Sequence, residues 1–186
     1  MLKSFTQAAA DYCAAAQNRT RQSVPRLLIL GILAGMFIAL AGTAASVGGA
    51  LAGKIASAAI FPAGLAMVIL AGSELFTGNC LFLLPLLRGD ITGGRTMGSW
   101  AIVYCGNLIG SIVIAFIVVR CGVLDSIAPA AIATAAAKAS LPFGAAFLRG
   151  VLCNLLVCLA VWMAFCAGSA GGKVISLYGP IFLFVL

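Results

Sequence analysis

The sequence predicts an all-α, polytopic membrane bundle, and three observations carry that prediction. Of the 186 residues, 63% are hydrophobic and only 8% are charged, whereas soluble domains carry about 25% charged residues. Apolar runs of spanning length recur along the chain, a span needing about 20 mostly apolar residues. The eleven Lys and Arg residues, which give a net charge of +7, sit mainly between those runs. They read as topology markers rather than as a nucleic-acid footprint.

The elements follow in order. Residues 1–25 contain no continuous apolar core and no secretory signal. Leu2, Phe5, Ala9, Tyr12 and Ala16 fall at spacings of three and four, one stripe of a helix. This segment is expected to be a cytoplasmic N-terminal helix lying on the membrane face or against a neighbouring subunit, with residues 26–186 forming the transmembrane domain. The first span is predicted from Leu27 to about Gly49. The second apolar run, from Ile55 to Leu87, is too long for one simple span and holds Glu74 and the helix-poor string Thr77-Gly78-Asn79. A third span is expected from Met97 to Val119 and a fourth from Pro142 to Ala167. The fifth run starts near Val174 and is still apolar at Leu186. It is too short to cross a hydrocarbon core of about 30 Å as a helix, so the chain is expected to stop inside span five. With the N-terminus inside, the inner side holds Lys3, Arg19, Arg21, Arg26, Arg88, Arg95 and Lys173, and the outer side holds Lys54, Arg120 and Lys138. That bias favours a cytoplasmic N-terminus.

The chain also repeats itself. Residues 31–41 read GILAGMFIALA and residues 150–160 read GVLCNLLVCLA; Pro62 and Leu65 are echoed by Pro180 and Leu183. The fourth span restarts the first and the fifth restarts the second. Three spans per unit is odd, so the second unit must insert upside down. A transport path is then expected between the halves of a three-plus-three bundle.

Several chemistries find no residues. There is no His, the seven Cys form no CxxC pair, and only four carboxylates are present. This argues against a metal site, a cofactor and acid–base catalysis, and hence against an enzyme. The string Gly168 to Lys173, GSAGGK, lacks the leading Gly and the following Ser or Thr of a phosphate loop.

Glu74 is the only acid inside a span and must face protein or water. Its neighbours Leu75, Phe76, Thr77, Gly78 and Asn79 predict a broken helix whose loop borders a pore, because irregular backbone is tolerated at membrane depth only where protein or water satisfies it. Gly31 with Gly35, and Gly106 with Gly110, form GxxxG pairs that serve either internal packing or a subunit contact. Asn107 and Asn154 either line a pore or bond between helices. Lys54 and Lys138 flank apolar runs and either snorkel or draw anions to a funnel mouth.

Glu74-Leu75-Phe76-Thr77-Gly78-Asn79, with Phe61 and Leu65 before it, resembles the second span of the formate/nitrite transporters, a family that includes hydrosulfide channels. Leu33 to Ile38, Gly106 to Gly110, and Gly150 to Trp162 resemble its first, third and fourth spans. The resemblance implies an aquaporin-like fold of two inverted three-span halves, assembled as a homopentamer in the inner (cytoplasmic) membrane. It implies that Phe61, Leu65 and Phe184 are constriction residues, that the Leu75-Phe76-Thr77 loop borders the pore, and that Lys138 is the vestibule lysine. The family's central histidine would fall beyond Leu186, so the chain is expected to be C-terminally truncated. The implied activity is passive or proton-coupled passage of a small anion: formate, nitrite or hydrosulfide. The rival readings are an aquaporin-like channel for neutral solutes and a non-conducting fragment.

Overall fold

Residues 2–186 are described by a computed structural model, all-helical apart from turns, loops and an isolated bridge between Leu2 and Ala167. The first helix, α1 (Phe5–Thr20), starts where the Ser4 side chain accepts the Gln7 N–H, an ordinary N-cap. Its buried face is Ala8, Tyr12, Cys13, Ala16 and Thr20. The expected stripe is therefore rotated: Leu2 and Phe5 are exposed and Ala9 is half-buried. Aromatic packing sets that rotation. The Tyr12 ring meets Phe165 edge-on at 5.3 Å and Trp162 at 6.1 Å.

Among the described residues three helices are long and apolar enough to cross a membrane. They are α2 (Val24–Ala52), α7 (Gly93–Arg120) and α9 (Phe143–Cys166), each within a few residues of its predicted span. The second apolar run crosses in pieces. These are α3 (Lys54–Ile60), α4 (Pro62–Leu70), α5 (Phe76–Asn79), a 3-10 turn at Cys80–Phe82, and α6 (Leu83–Leu87). The string Thr77-Gly78-Asn79, expected to be irregular, is helical, and the break lies earlier, over residues 71–75. The reason is a Schellman ending. Gly72 takes φ +68°, its N–H reaches Ile69 O, and the Ser73 N–H reaches Val68 O. The same pattern around Gly89 ends α6.

A short helix absent from the sequence reading, α8 (Ala128–Ala139), follows α7 and has no buried residue. The last helix, α10 (Ala170–Val185), starts at the Ser169 cap, four residues before the expected Val174. It contains Pro180 and is 16 residues long.

The ends of the helices sort onto two sides. The side carrying α1 also holds the start of α2, the α6–α7 turn and the end of α9. There Gln17 Nε2 donates to Asp90 O at 3.2 Å and the Lys3 N–H donates to Cys166 O at 3.1 Å. The far side holds the α2–α3 turn, α8 and the start of α9. Lys54 Nζ there donates to the Leu186 carbonyl. The seven cations predicted for one face fall on the α1 side, and Lys54, Arg120 and Lys138 fall on the far side.

Helices α2 and α7 run parallel, main chain against main chain. A Cβ on Gly106 would lie 2.8 Å from Leu28 O, and one on Gly110 would strike the Ile32 carbonyl. Both GxxxG pairs thus serve packing within the chain. Helix α9 then runs opposite to α2, so the repeat is inverted as its odd span number requires.

Candidate functional site

The break in the second span is held from outside. Leu75, at the end of the break, is extended (φ −110°, ψ 126°). Asn107 of α7 accepts the Phe76 N–H at 2.9 Å through Oδ1. Its Nδ2 donates to Gly31 O at 2.8 Å and to Glu74 O at 2.9 Å. The Glu74 N–H goes to Leu30 O at 3.2 Å. Buried main-chain groups must be paired, and here α2 and α7 supply the partners that a broken helix cannot.

Glu74 is 3% exposed. Its Oε2 accepts from Asn79 Nδ2 at 2.9 Å, and Arg19 Nε of α1 lies 3.5 Å from Oε1. The Asn79 carbonyl in turn accepts from Trp100 Nε1 at 2.9 Å. An acid among apolar residues is stable when it is both hydrogen-bonded and opposed by a cation, and this one has both.

Beside this network a cavity of about 130 Å³ opens on the α1 side. Arg19 and Lys173 bring cationic groups to it and Tyr12 borders it, while Leu65, Val68, Leu75 and Val161 form apolar wall. Beyond that wall apolar side chains pack closely. Leu65 is 2% exposed and belongs to a cluster with Val157, Ala160 and Ile181; Phe61, Leu75 and Phe184 pack against it. The Phe61 and Phe184 ring centroids are 5.7 Å apart. A cavity bordered by Arg19 and Lys173 thus abuts a closely packed apolar cluster. On α1, burial pushes the Tyr12 phenol up, and hydrogen bonds from Lys3 and Gln7 hold Asp11 below its ordinary range.

The model of the family described as "Formate/nitrite transporter" matches residues 6–186. The chain belongs to the formate/nitrite transporter family. A probable formate transporter of Methanothermobacter thermautotrophicus is 36% identical, over 98% of this chain and 77% of that protein. A solved FNT family ion channel superposes with a TM-score of 0.85 at 28% identity, covering 97% of this chain and 76% of the other. A pentameric formate channel with formate bound superposes at 0.75 with 32% identity, covering 87% and 68%. This is a family of membrane channels and transporters, not of enzymes.

In this family member the expected site residues divide. Phe61, Leu65, Leu75 and Phe184 come together in one apolar cluster, and Asn79 joins Leu65 and Leu75 on the cavity wall. Glu74 is buried behind the wall. Phe76 turns to α7, edge-on to Tyr104 at 5.4 Å and Trp100 at 6.3 Å. Thr77 contributes its carbonyl to Cys158 Sγ at 3.4 Å. Asn107 takes the interhelical role of its two open readings. Asn154 places Nδ2 3.8 Å from Cys158 Sγ and leaves a buried Oδ1 without a partner. Lys138 lies exposed near the end of α8, on the far side.

The sequence marked Arg19 and Lys173 only as topology cations and Tyr12 only as part of a helix stripe, none of them as a site residue. One signal was available: a lone acid in an apolar run needs a cation, and Arg19 lies on the same side in a helix with a polar rim.

Proposed function

We propose that the protein is a multi-pass membrane channel for small monovalent anions of the formate, nitrite or hydrosulfide type, working passively or with proton coupling. The observation that carries this reading is the cationic cavity at Arg19 and Lys173 ending on the Leu65, Leu75, Phe61 and Phe184 plug. Cations raise the local anion concentration, and the plug admits the neutral acid in preference to the bare anion. Lys138 would gather anions at the far mouth. Glu74, Phe76, Thr77 and Asn79 would shape the pore loop, and Asn154 would offer its unpartnered Oδ1 near the middle of α9. The resemblance to a pentameric formate channel supports a homopentamer in the lipid bilayer. The seven-to-three cation bias supports a cytoplasmic N-terminus in the inner membrane, with residues 1–25 as its inner helix.

Reconstitution into liposomes tests the proposal. Formate should pass and glycerol should not, and acidifying the outside should speed uptake. Glycerol permeation without formate permeation would replace this reading with a neutral-solute channel. Formate flux that ignores pH would remove the protonation step.

A further inference from the structure

The two peptide groups that flank Leu75 are both bonded to one side chain. Glu74 O belongs to the peptide before Leu75 and Phe76 N–H to the peptide after it. Asn107 Nδ2 and Oδ1 hold them at 2.9 Å each. One amide therefore grips Leu75 as a neighbouring strand grips a residue in a sheet, and it fixes both of that residue's torsions. The grip is anchored. The third bond of Asn107 goes to Gly31 O, and Ser111 Oγ donates to Asn107 O at 2.7 Å. Around it, α2 and α7 lie too close to slide, since a Cβ on Gly35 would strike the Asn107 carbonyl. Leu75 in turn lines the cavity wall and packs on the plug.

We infer that Asn107 is a positioning residue for anion size selection: it touches no permeant ion but holds Leu75 at the aperture between cavity and plug. This rests on the channel reading. Loosening the grip lets the Leu75 side chain swing, and the aperture then admits larger monocarboxylates that the intact wall turns away.

The experiment uses the full chain in liposomes, with Asn107→Leu (similar volume, no hydrogen bonds), Asn107→Asp (one acceptor kept, both donors lost) and Leu75→Ala as the direct opening of the wall. The readouts are the acetate-to-formate flux ratio and hydrogen exchange of residues 71–79. A ratio cancels differences in the amount of folded channel, so a merely structural role leaves it unmoved. Asn107→Leu and Asn107→Asp should raise it about threefold or more, in the direction of Leu75→Ala, as expected if aperture size selects. Exchange over 71–79 should accelerate about tenfold, and in the unsubstituted protein the Phe76 amide should be among the slowest of that segment. An unchanged ratio in folded Asn107 variants, while Leu75→Ala raises it, overturns the inference and leaves the channel reading standing. Should the variants fail to fold, a fast-exchanging Phe76 amide in the unsubstituted protein overturns it. No anion flux from the unsubstituted protein sinks the channel reading and the selection role with it.

Discussion

Replacing Gly110 by Ala tests how the bundle is held together. An added Cβ at this position strikes the Ile32 carbonyl and lies 2.9 Å from Met36 N. Both obstacles are main chain and cannot rotate aside, so α2 and α7 must part. Helix propensity alone favours Ala over Gly by about 1 kcal/mol. Overpacking a tight contact costs about 1–3 kcal/mol, and more where the neighbours are rigid. The expected net loss is about 2 kcal/mol, a fall in melting midpoint of about 4–8 °C for a chain of this size. Gly98 on the same helix is the control, because a Cβ there meets nothing within 4 Å. Gly98→Ala should gain the propensity term alone and melt about 2–4 °C higher. The assay is thermal unfolding of the two variants in the same detergent. If Gly110→Ala melts at or above Gly98→Ala, the α2–α7 contact is not the close main-chain approach described here.

Three further outcomes follow from groups on or near α1. The Tyr12 hydroxyl is buried without a hydrogen-bond partner, so Tyr12→Phe should raise stability by about 1 kcal/mol; a destabilised variant in the same melting assay would mean the hydroxyl is bonded in solution. Glu74→Ala strands the buried Asn79 amide and should cost about 1–3 kcal/mol, with little added from Arg19, whose side chain is 36% exposed. Glu74→Gln, which can still accept from Asn79, should lose less. The Asp11 carboxyl is held low by Lys3 and Gln7. Its contribution is present above the unfolded carboxylate value of about 3.9 and is lost as pH falls through the lowered folded value. Trp162 fluorescence, which reports the contact with Phe5 at 5.5 Å, should stay flat from about pH 8 to about pH 5 and change only below about pH 4. Asp11→Asn should remove that acid step.

Long-range pairing explains what the sequence showed and what it hid. The spans were legible because each is a local property: α2, α7 and α9 are uninterrupted apolar runs. That Phe61, Leu65 and Phe184 fall in one apolar cluster was anticipated only through the resemblance. The position of the break was not. No local pattern marks Gly72 within the hydrophobic run, and Thr77-Gly78-Asn79 looked helix-poor. The helix resumes at Phe76 because its first N–H is capped by Asn107, a partner on another helix that no local pattern announces. The buried face of α1 was misread for a similar reason, since Phe165 and Trp162, which choose it, come much later in the chain. Arg19 stayed hidden because its partner Glu74 is brought beside it only by the break.

The start of α10 has an electrical consequence. Peptide dipoles add along a helix to about half a positive charge at its start and half a negative charge at its end. Helix α10 begins at Ala170, so Lys173 stands in its first turn. The unpaired N–H groups of that turn add positive potential beside the lysine side chain. Neutralising Lys173 alone would therefore leave part of the positive potential at that position in place.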